Sequence, residues 1–284
     1  KHEYKMSIGT DVDEHDLSEI QQQFRLYARE LDDKHDRQER IIKISRDITI
    51  ESKRIIYLLH TINNDSKKPK ILKEAEKRLK VLCSKQFKNI ARELVNQDPY
   101  LYIRAYTPGL QEFIEALTFY QYNELGSLKH WNEIQDLLKY KKTEIIQETN
   151  KQSNEITEII EQDKSQIDNE SVYTLLPPTE YFLGIGDLTG EVMRKCIMSV
   201  GAGDNNACFA SCKFLREIST GFISIMQGGI AHYKELARKV YTLRQNVLKA
   251  EIVCYNITVR GNESTTWGLI DCTNASLEED EGFC

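Results

Sequence analysis

The chain has 284 residues, 40% of them hydrophobic and 29% charged, with a formal net charge of −6. That balance excludes a disordered chain and a generic binder of nucleic acid, and no apolar run approaches the roughly 18 residues of a membrane span. With five prolines and 14 glycines, long uninterrupted helices are expected.

Residues 17–62 read as one helix, because Ile41, Ile44, Ile48 and Ile55 recur at three- and four-residue steps. Arg40, Lys43, Asp47 and Arg54 form a charged stripe on nearly the opposite face. The Asn63-Asn-Asp-Ser66 cluster ends this helix, and Pro69 opens a second that runs to about Val95. The stretch from Lys67 to Arg92 holds ten lysines and arginines against Glu74 and Glu76, a basic segment whose ordinary reading is a solvated face. Asp98-Pro99 starts a third helix, which Pro108 and Gly109 are expected to break or kink before it resumes over Leu110–Tyr122. Residues 127–170 are rich in Lys, Glu, Gln and Asn and read as a loosely attached insertion, closed by Leu175-Leu-Pro-Pro178. Helices are then expected over 178–200, 207–227 and 231–257, with a loop at 201–206 and a tail of little periodicity from Gly261. No strand alternation of any length and no internal repeat is visible, so the fold class is all-α, a single helical bundle.

The seven cysteines, at 83, 196, 208, 212, 254, 272 and 284, show no Cys-x-x-Cys spacing. They read as free thiols of a reducing compartment. The N-terminal Lys1-His-Glu-Tyr-Lys5 does not resemble a signal peptide.

Chemistry concentrates in two short stretches. Gly109-Leu-Gln-Glu112-Phe-Ile-Glu115-Ala carries carboxylates at i and i+3. Leu183-Gly-Ile-Gly-Asp187-Leu-Thr-Gly-Glu191-Val-Met-Arg194 carries them at i and i+4. Each pair shares a helix face. Phe119 and Tyr122 lie on the glutamate side of the first helix, and a helix apolar on both sides is expected to be buried on both, where bare acids need a partner or a metal. Gly184, Gly186 and Gly190 suggest close packing or a site on the second helix. Four such acids could surround a hard divalent cation, the minimum for metal-assisted phosphodiester hydrolysis. The plainer alternative is helix packing with a Glu191–Arg194 or Asp187–Arg194 ion pair. A di-iron bundle wants Glu-x-x-His pairs, and none of the six histidines has a glutamate three residues before it. No Lys-bearing phosphate loop occurs.

The stretches Leu31–Arg40, Lys43–Arg54, Gly109–Ala116, Asp187–Arg194, Tyr241–Gln245 and Cys254–Gly261 together resemble the translin family, over about residues 20–125 and 173–262. The paired carboxylates resemble those of the family's partner subunit rather than of translin itself. The resemblance implies one domain of about seven helices over residues 1–284, with a variable insertion at about 127–172 and an irregular tail from about 262. It implies assembly with translin into a closed, barrel-like shell and Mg²⁺-dependent cleavage of single-stranded RNA. In the cell, this would remove passenger-strand fragments in RNA silencing and act in tRNA processing, in cytoplasm and nucleus. Glu112, Glu115 and Asp187 match the family's catalytic acids and, with Glu191, its metal ligands. Arg40, Lys43 and Arg54 then become candidates for the RNA path and Arg194 for the scissile phosphate. The chain departs from the family at Gly184-Ile-Gly186, where a Gly-Val-Ala type stretch is usual. The competing reading is a non-catalytic subunit that stabilises translin or serves as a nucleic-acid-binding adaptor.

Overall fold

The computed structural model describes residues 18–62, 66–143, 145, 171–227 and 234–260. Seven helices are found among them. Helix α1 is Glu19–His60; α2 is a rod made of Lys68–Val81, a π-helical turn Leu82–Phe87 and Lys88–Glu93; α3 is Pro99–Leu125 and α4 Trp131–Leu137. Helices α5, α6 and α7 are Pro178–Gly201, Asn205–Gln227 and Lys234–Arg260. The all-α reading holds.

Helix α3 is the spine. It packs on α1 along one side and on α5 along the other, and α5, α6 and α7 pack mutually. Its Tyr106, Phe113 and Phe119 are fully buried, with Phe113 edge-on to Phe87 of α2 at 4.7 Å between ring centroids. On α1 the inward face is Ile41, Ser45, Ile48, Ser52, Ile55 and Leu59. Its alternating steps of four and three residues make the stripe of a helix crossing at a shallow angle.

The expected break at Pro108 does not occur, since α3 runs unbroken from Pro99 to Leu125. Proline removes one helical donor and crowds the preceding turn. Ser45 of α1 compensates from outside: its Oγ accepts from the Gly109 N–H at 3.1 Å and donates to the Tyr106 carbonyl at 3.4 Å. Gly109 makes that approach possible, because a Cβ there would stand 2.6 Å from the Ser45 carbonyl oxygen.

The first part of the insertion is firmly docked, contrary to expectation. Ile134, Leu138 and Ile145 are buried. Strand β1 (Lys139–Lys141) pairs antiparallel with β2 (Ser171–Tyr173). Gln135 donates to the Thr174 carbonyl at 3.1 Å and accepts from the Leu176 N–H at 2.8 Å, and Trp131 Nε1 donates to the Leu176 carbonyl at 2.9 Å. Tyr140 and Thr174 donate to the carbonyls of Cys83 and Phe87, at 2.7 and 2.9 Å. These two carbonyls belong to the π turn, where the regular ladder is disturbed. Residues 146–170 of the insertion and the tail from Gly261 lie outside the described residues. Cys83, Cys196, Cys208, Cys212 and Cys254 are free thiols, as expected.

Candidate metal centre

Glycine again sets the approach of the helices that carry the acids. At Gly184 a Cβ would meet Ile114 Cγ2 at 2.6 Å and the Gln111 carbonyl at 3.1 Å. Helices α3 and α5 therefore touch backbone to side chain at the residues next to Glu112 and Glu115. Gly186 makes room for the Lys239 side chain of α7, whereas a Cβ at Gly190 would meet nothing within 4 Å.

The four acids lie near enough that the charges of Glu112, Asp187 and Glu191 all act on Glu115. Glu112 faces α1, where Lys53 Nζ lies 3.0 Å from its Oε1. Asp187 accepts from Lys239 of α7. Glu191 is paired with Nε2 of His60, the last residue of α1, and lies 3.9 Å from Arg194. The His60 side chain is only 6% exposed and its ring is tilted against Phe119, 4.8 Å between centroids. The hydrogen bond from His60 holds the Glu191 carboxyl below the ordinary range, against the opposing effect of burial. The hydrogen bond to Glu112 raises Lys53.

Glu115 is different. Its carboxylate makes no hydrogen bond or ion pair among the described residues. Burial first, then the charges of Asp187, Glu112 and Glu191, push its pKa up to about 8. By contrast Glu180, which is buried, accepts from Gln111 Nε2 at 2.6 Å. Three carboxylates thus act on a fourth that lacks a hydrogen-bond donor, with the Lys239 charge opposing the shift, and the donors of the set are oxygens. Among the described residues no three His, Cys, Asp or Glu side chains are placed to hold a metal ion, and Glu112, Asp187 and Glu191 are instead paired with Lys53, Lys239 and His60. The chemistry of the donors fits a hard divalent cation.

Lys53, His60 and Lys239 were not singled out by sequence reasoning. They lie 59, 131 and 52 positions from Glu112, Glu191 and Asp187 respectively, and no local spacing signals such pairs. Of the proposed RNA contacts, Arg40 is engaged, with Nε and one terminal nitrogen at 3.1 and 3.0 Å from the two oxygens of Glu93 on α2. Arg54 pairs with Glu51 at 3.4 Å, and the same carboxylate lies 3.6 Å from Arg78. Lys43 is exposed, and Arg194 has 61% of its side chain exposed beside the acids.

A family model described as the Translin family matches residues 36–261. The chain belongs to the translin family. Among family members it is 38% identical over 279 residues to Translin-associated protein X of Pongo abelii, covering 97% of this chain and 91% of that one. It is 39% identical over 248 residues to the Mus musculus protein of the same name, covering 87% and 81%. A Schizosaccharomyces pombe homolog is 26% identical over 243 residues, covering 85% and 89%. The translin-family fold is also seen in solved structures of apo-NeC3PO (TM-score 0.51, 16% identity, 82% of this chain and 98% of that one) and of an AfC3PO–duplex RNA complex (TM-score 0.50, 18% identity, 90% and 100%).

Proposed function

We propose that this translin-family chain is the RNA-cleaving, Mg²⁺-dependent subunit of a hetero-oligomer with translin, acting on single-stranded RNA. The observation that carries the reading is Glu115, half-buried beside three further carboxylates whose charges act on it, with no hydrogen-bond donor of its own. Glu112, Glu115, Asp187 and Glu191 would hold the cation. Mg²⁺ bound by carboxylates supplies a water of lowered pKa and offsets charge on the phosphoryl oxygens. With a cation bound to offset the neighbouring carboxylates and restore its ionised form, Glu115 would be the acid with a free oxygen to take a proton from the attacking water. Lys53, Lys239 and His60 fix the rotamers of the other three, and exposed Arg194 offers a guanidinium to the phosphate.

The relatives' name supports translin as partner, and so does α1. Its buried stripe continues in the same four–three phase into Ile20, Phe24, Tyr27 and Leu31, all exposed; Ile20 and Phe24 are 71% and 68% open. An apolar stripe on a helix with no neighbour in its own chain suits a subunit contact.

The deciding assay is Mg²⁺-dependent cleavage of single-stranded RNA by the chain co-purified with translin, comparing wild type, Glu112→Gln and Asp187→Asn. A duplex is run beside it, since AfC3PO is known with duplex RNA. Cleavage is expected to fall at least about a hundredfold in both variants, because each loses part of a cation's several kcal/mol of charge stabilisation. Equal activity in all three would leave this chain a structural subunit of translin, the reading that the exposed stripe of α1 also suits.

The Arg40–Glu93 pair changes the expected RNA path. Lys43→Ala should lower the slope of log affinity against log salt by about 0.7, the value for one phosphate contact on a single strand. Arg40→Ala should leave the slope nearly unchanged and cost up to about 1 kcal/mol of stability, as an exposed pair does. The measurement is fluorescence anisotropy of a labelled oligoribonucleotide across a salt series in chelator.

A further inference from the structure

The acid-bearing face of α5 does not stop at Glu191. Continuing at four-residue steps, Asp187 and Glu191 are followed by Lys195 and Ser199, which share the same face. Lys195 and Ser199 line a cavity of about 450 Å³ together with His60, Lys68, Asp204 and Ala207. His60 joins the two places, because its Nε2 holds Glu191 while its ring forms part of the cavity wall.

The cavity is built for negative charge. Lys195 is largely buried, its ammonium donating to Asn123 Oδ1 and lying 5.5 Å from the Tyr122 ring centroid. Neither Lys195 nor Lys68 has an ion-pair partner among the described residues. Burial, then the nearby charge of Lys68, lowers the Lys195 pKa to about 8, while Asp204 opposes the shift. Asp204 is otherwise engaged, its Oδ1 accepting from the Ala207 N–H at 3.0 Å in the first turn of α6. That helix has 23 residues and its N-terminus opens on the cavity, adding partial positive charge. His60 Nδ1 is buried without a partner. Two half-buried ammonium groups without a carboxylate partner favour a visiting anion.

We propose that this cavity binds a backbone phosphate of the RNA strand next to the phosphodiester held at the carboxylates, with Lys195 and Lys68 as its cationic walls. The inference rests on the proposed RNA-cleaving role. Lys195 follows Glu191 by four residues, about 6 Å along a helix, so a strand lying along α5 meets the acids and the lysine in succession. Lys195 is a positioning residue in this arrangement: it holds the strand and leaves the reacting atoms to the acids.

The test uses the complex with translin and a fluorescent single-stranded oligoribonucleotide in EDTA, where cleavage cannot intervene. Lys195→Met is expected to weaken binding several-fold at low salt and to lower the salt slope by about 0.7, and Lys195→Arg to restore the slope. Lys68→Ala, at the cavity's rim, should act in the same direction, which covers the case in which the Lys195→Met protein does not assemble. Unchanged slopes in both Lys195→Met and Lys68→Ala would overturn the proposal. The catalytic reading is judged separately by Glu112→Gln: cleavage lost there with unchanged lysine slopes removes the cavity and spares the active site. Cleavage retained there with lowered lysine slopes keeps the cavity as an RNA site and removes the carboxylate mechanism.

Discussion

Replacing Gly109 with alanine is expected to lower the thermal midpoint of the protein by several degrees, although the same change in an open helix raises stability. An internal glycine ordinarily costs a helix about 1 kcal/mol relative to alanine. At Gly109 the new Cβ would sit 2.6 Å from the Ser45 carbonyl oxygen and 2.7 Å from its Oγ. The first of these is backbone and cannot swing aside. Helix α1 must move off α3, and with it goes the Ser45 Oγ that receives the Gly109 N–H behind Pro108. Overpacking of this kind costs about 1–3 kcal/mol, and the lost hydrogen bond adds about 1 kcal/mol, together more than the gain in helix propensity. Gly190→Ala is the internal comparison, since a Cβ there meets nothing within 4 Å. It should leave the midpoint unchanged or raise it. Differential scanning fluorimetry of the two variants beside wild type checks both signs. Gly109→Ala also bears on function, because Lys53 and His60 ride on α1 toward Glu112 and Glu191.

Those two glycines show which parts of the molecule were open to sequence reasoning. Periodicity located six helices to within a few residues, because an apolar stripe is a local property of the chain. The acids were found for the same reason: Glu112 with Glu115 and Asp187 with Glu191 are pairs within one helix, and their spacing is written in the sequence. What escaped was set by contacts between distant segments. Pro108 was expected to interrupt α3 because its repair comes from Ser45, 64 positions before the Gly109 amide it serves. The π turn at Leu82–Phe87 was read as plain helix, since the donors that satisfy it, Tyr140 and Thr174, lie across the insertion. The docking of α4 was missed because its side chains are mostly polar, and its hold on the core comes from Ile134, Leu138 and the hydrogen bonds of Gln135 and Trp131. At the site, the partners Lys53, His60 and Lys239 arrive from helices that sequence alone does not bring together. Arg40 is the converse case, a residue whose place on a basic stripe suggested RNA and whose side chain is engaged by Glu93.

Glu115→Gln is expected to remove cleavage and, in chelator, to make the protein more stable than wild type. The two effects have one cause. A carboxyl raised from the ordinary 4.5 to about 8 by burial and by Asp187, Glu112 and Glu191 opposes folding whenever it must be ionised. The sign follows from proton binding: between about pH 4.5 and pH 8 the folded state holds more protons at this group than the unfolded state does. Stability therefore falls as pH rises through that window. Glutamine keeps the shape and drops the charge. The variant's advantage should be near zero below about pH 4.5, grow toward pH 8 and then level off, reaching on the order of 1–3 kcal/mol after allowance for solvent screening. Mg²⁺ should reverse the order, because a cation that binds only the folded wild type stabilises it by mass action. The measurement is the thermal midpoint of wild type and Glu115→Gln, each assembled with translin, across pH 5–9 in EDTA and again in Mg²⁺. A gap that widens with pH in EDTA and narrows or inverts in Mg²⁺ is the outcome that the carboxylate cluster demands. A gap indifferent to both would mean that Glu115 is not the strained member of a cation site, and catalysis would then have to be sought away from α3 and α5. A protein that holds a half-buried acid beside three like charges gives up stability for it, and metal-assisted hydrolysis is the chemistry on this chain that would make use of that loss.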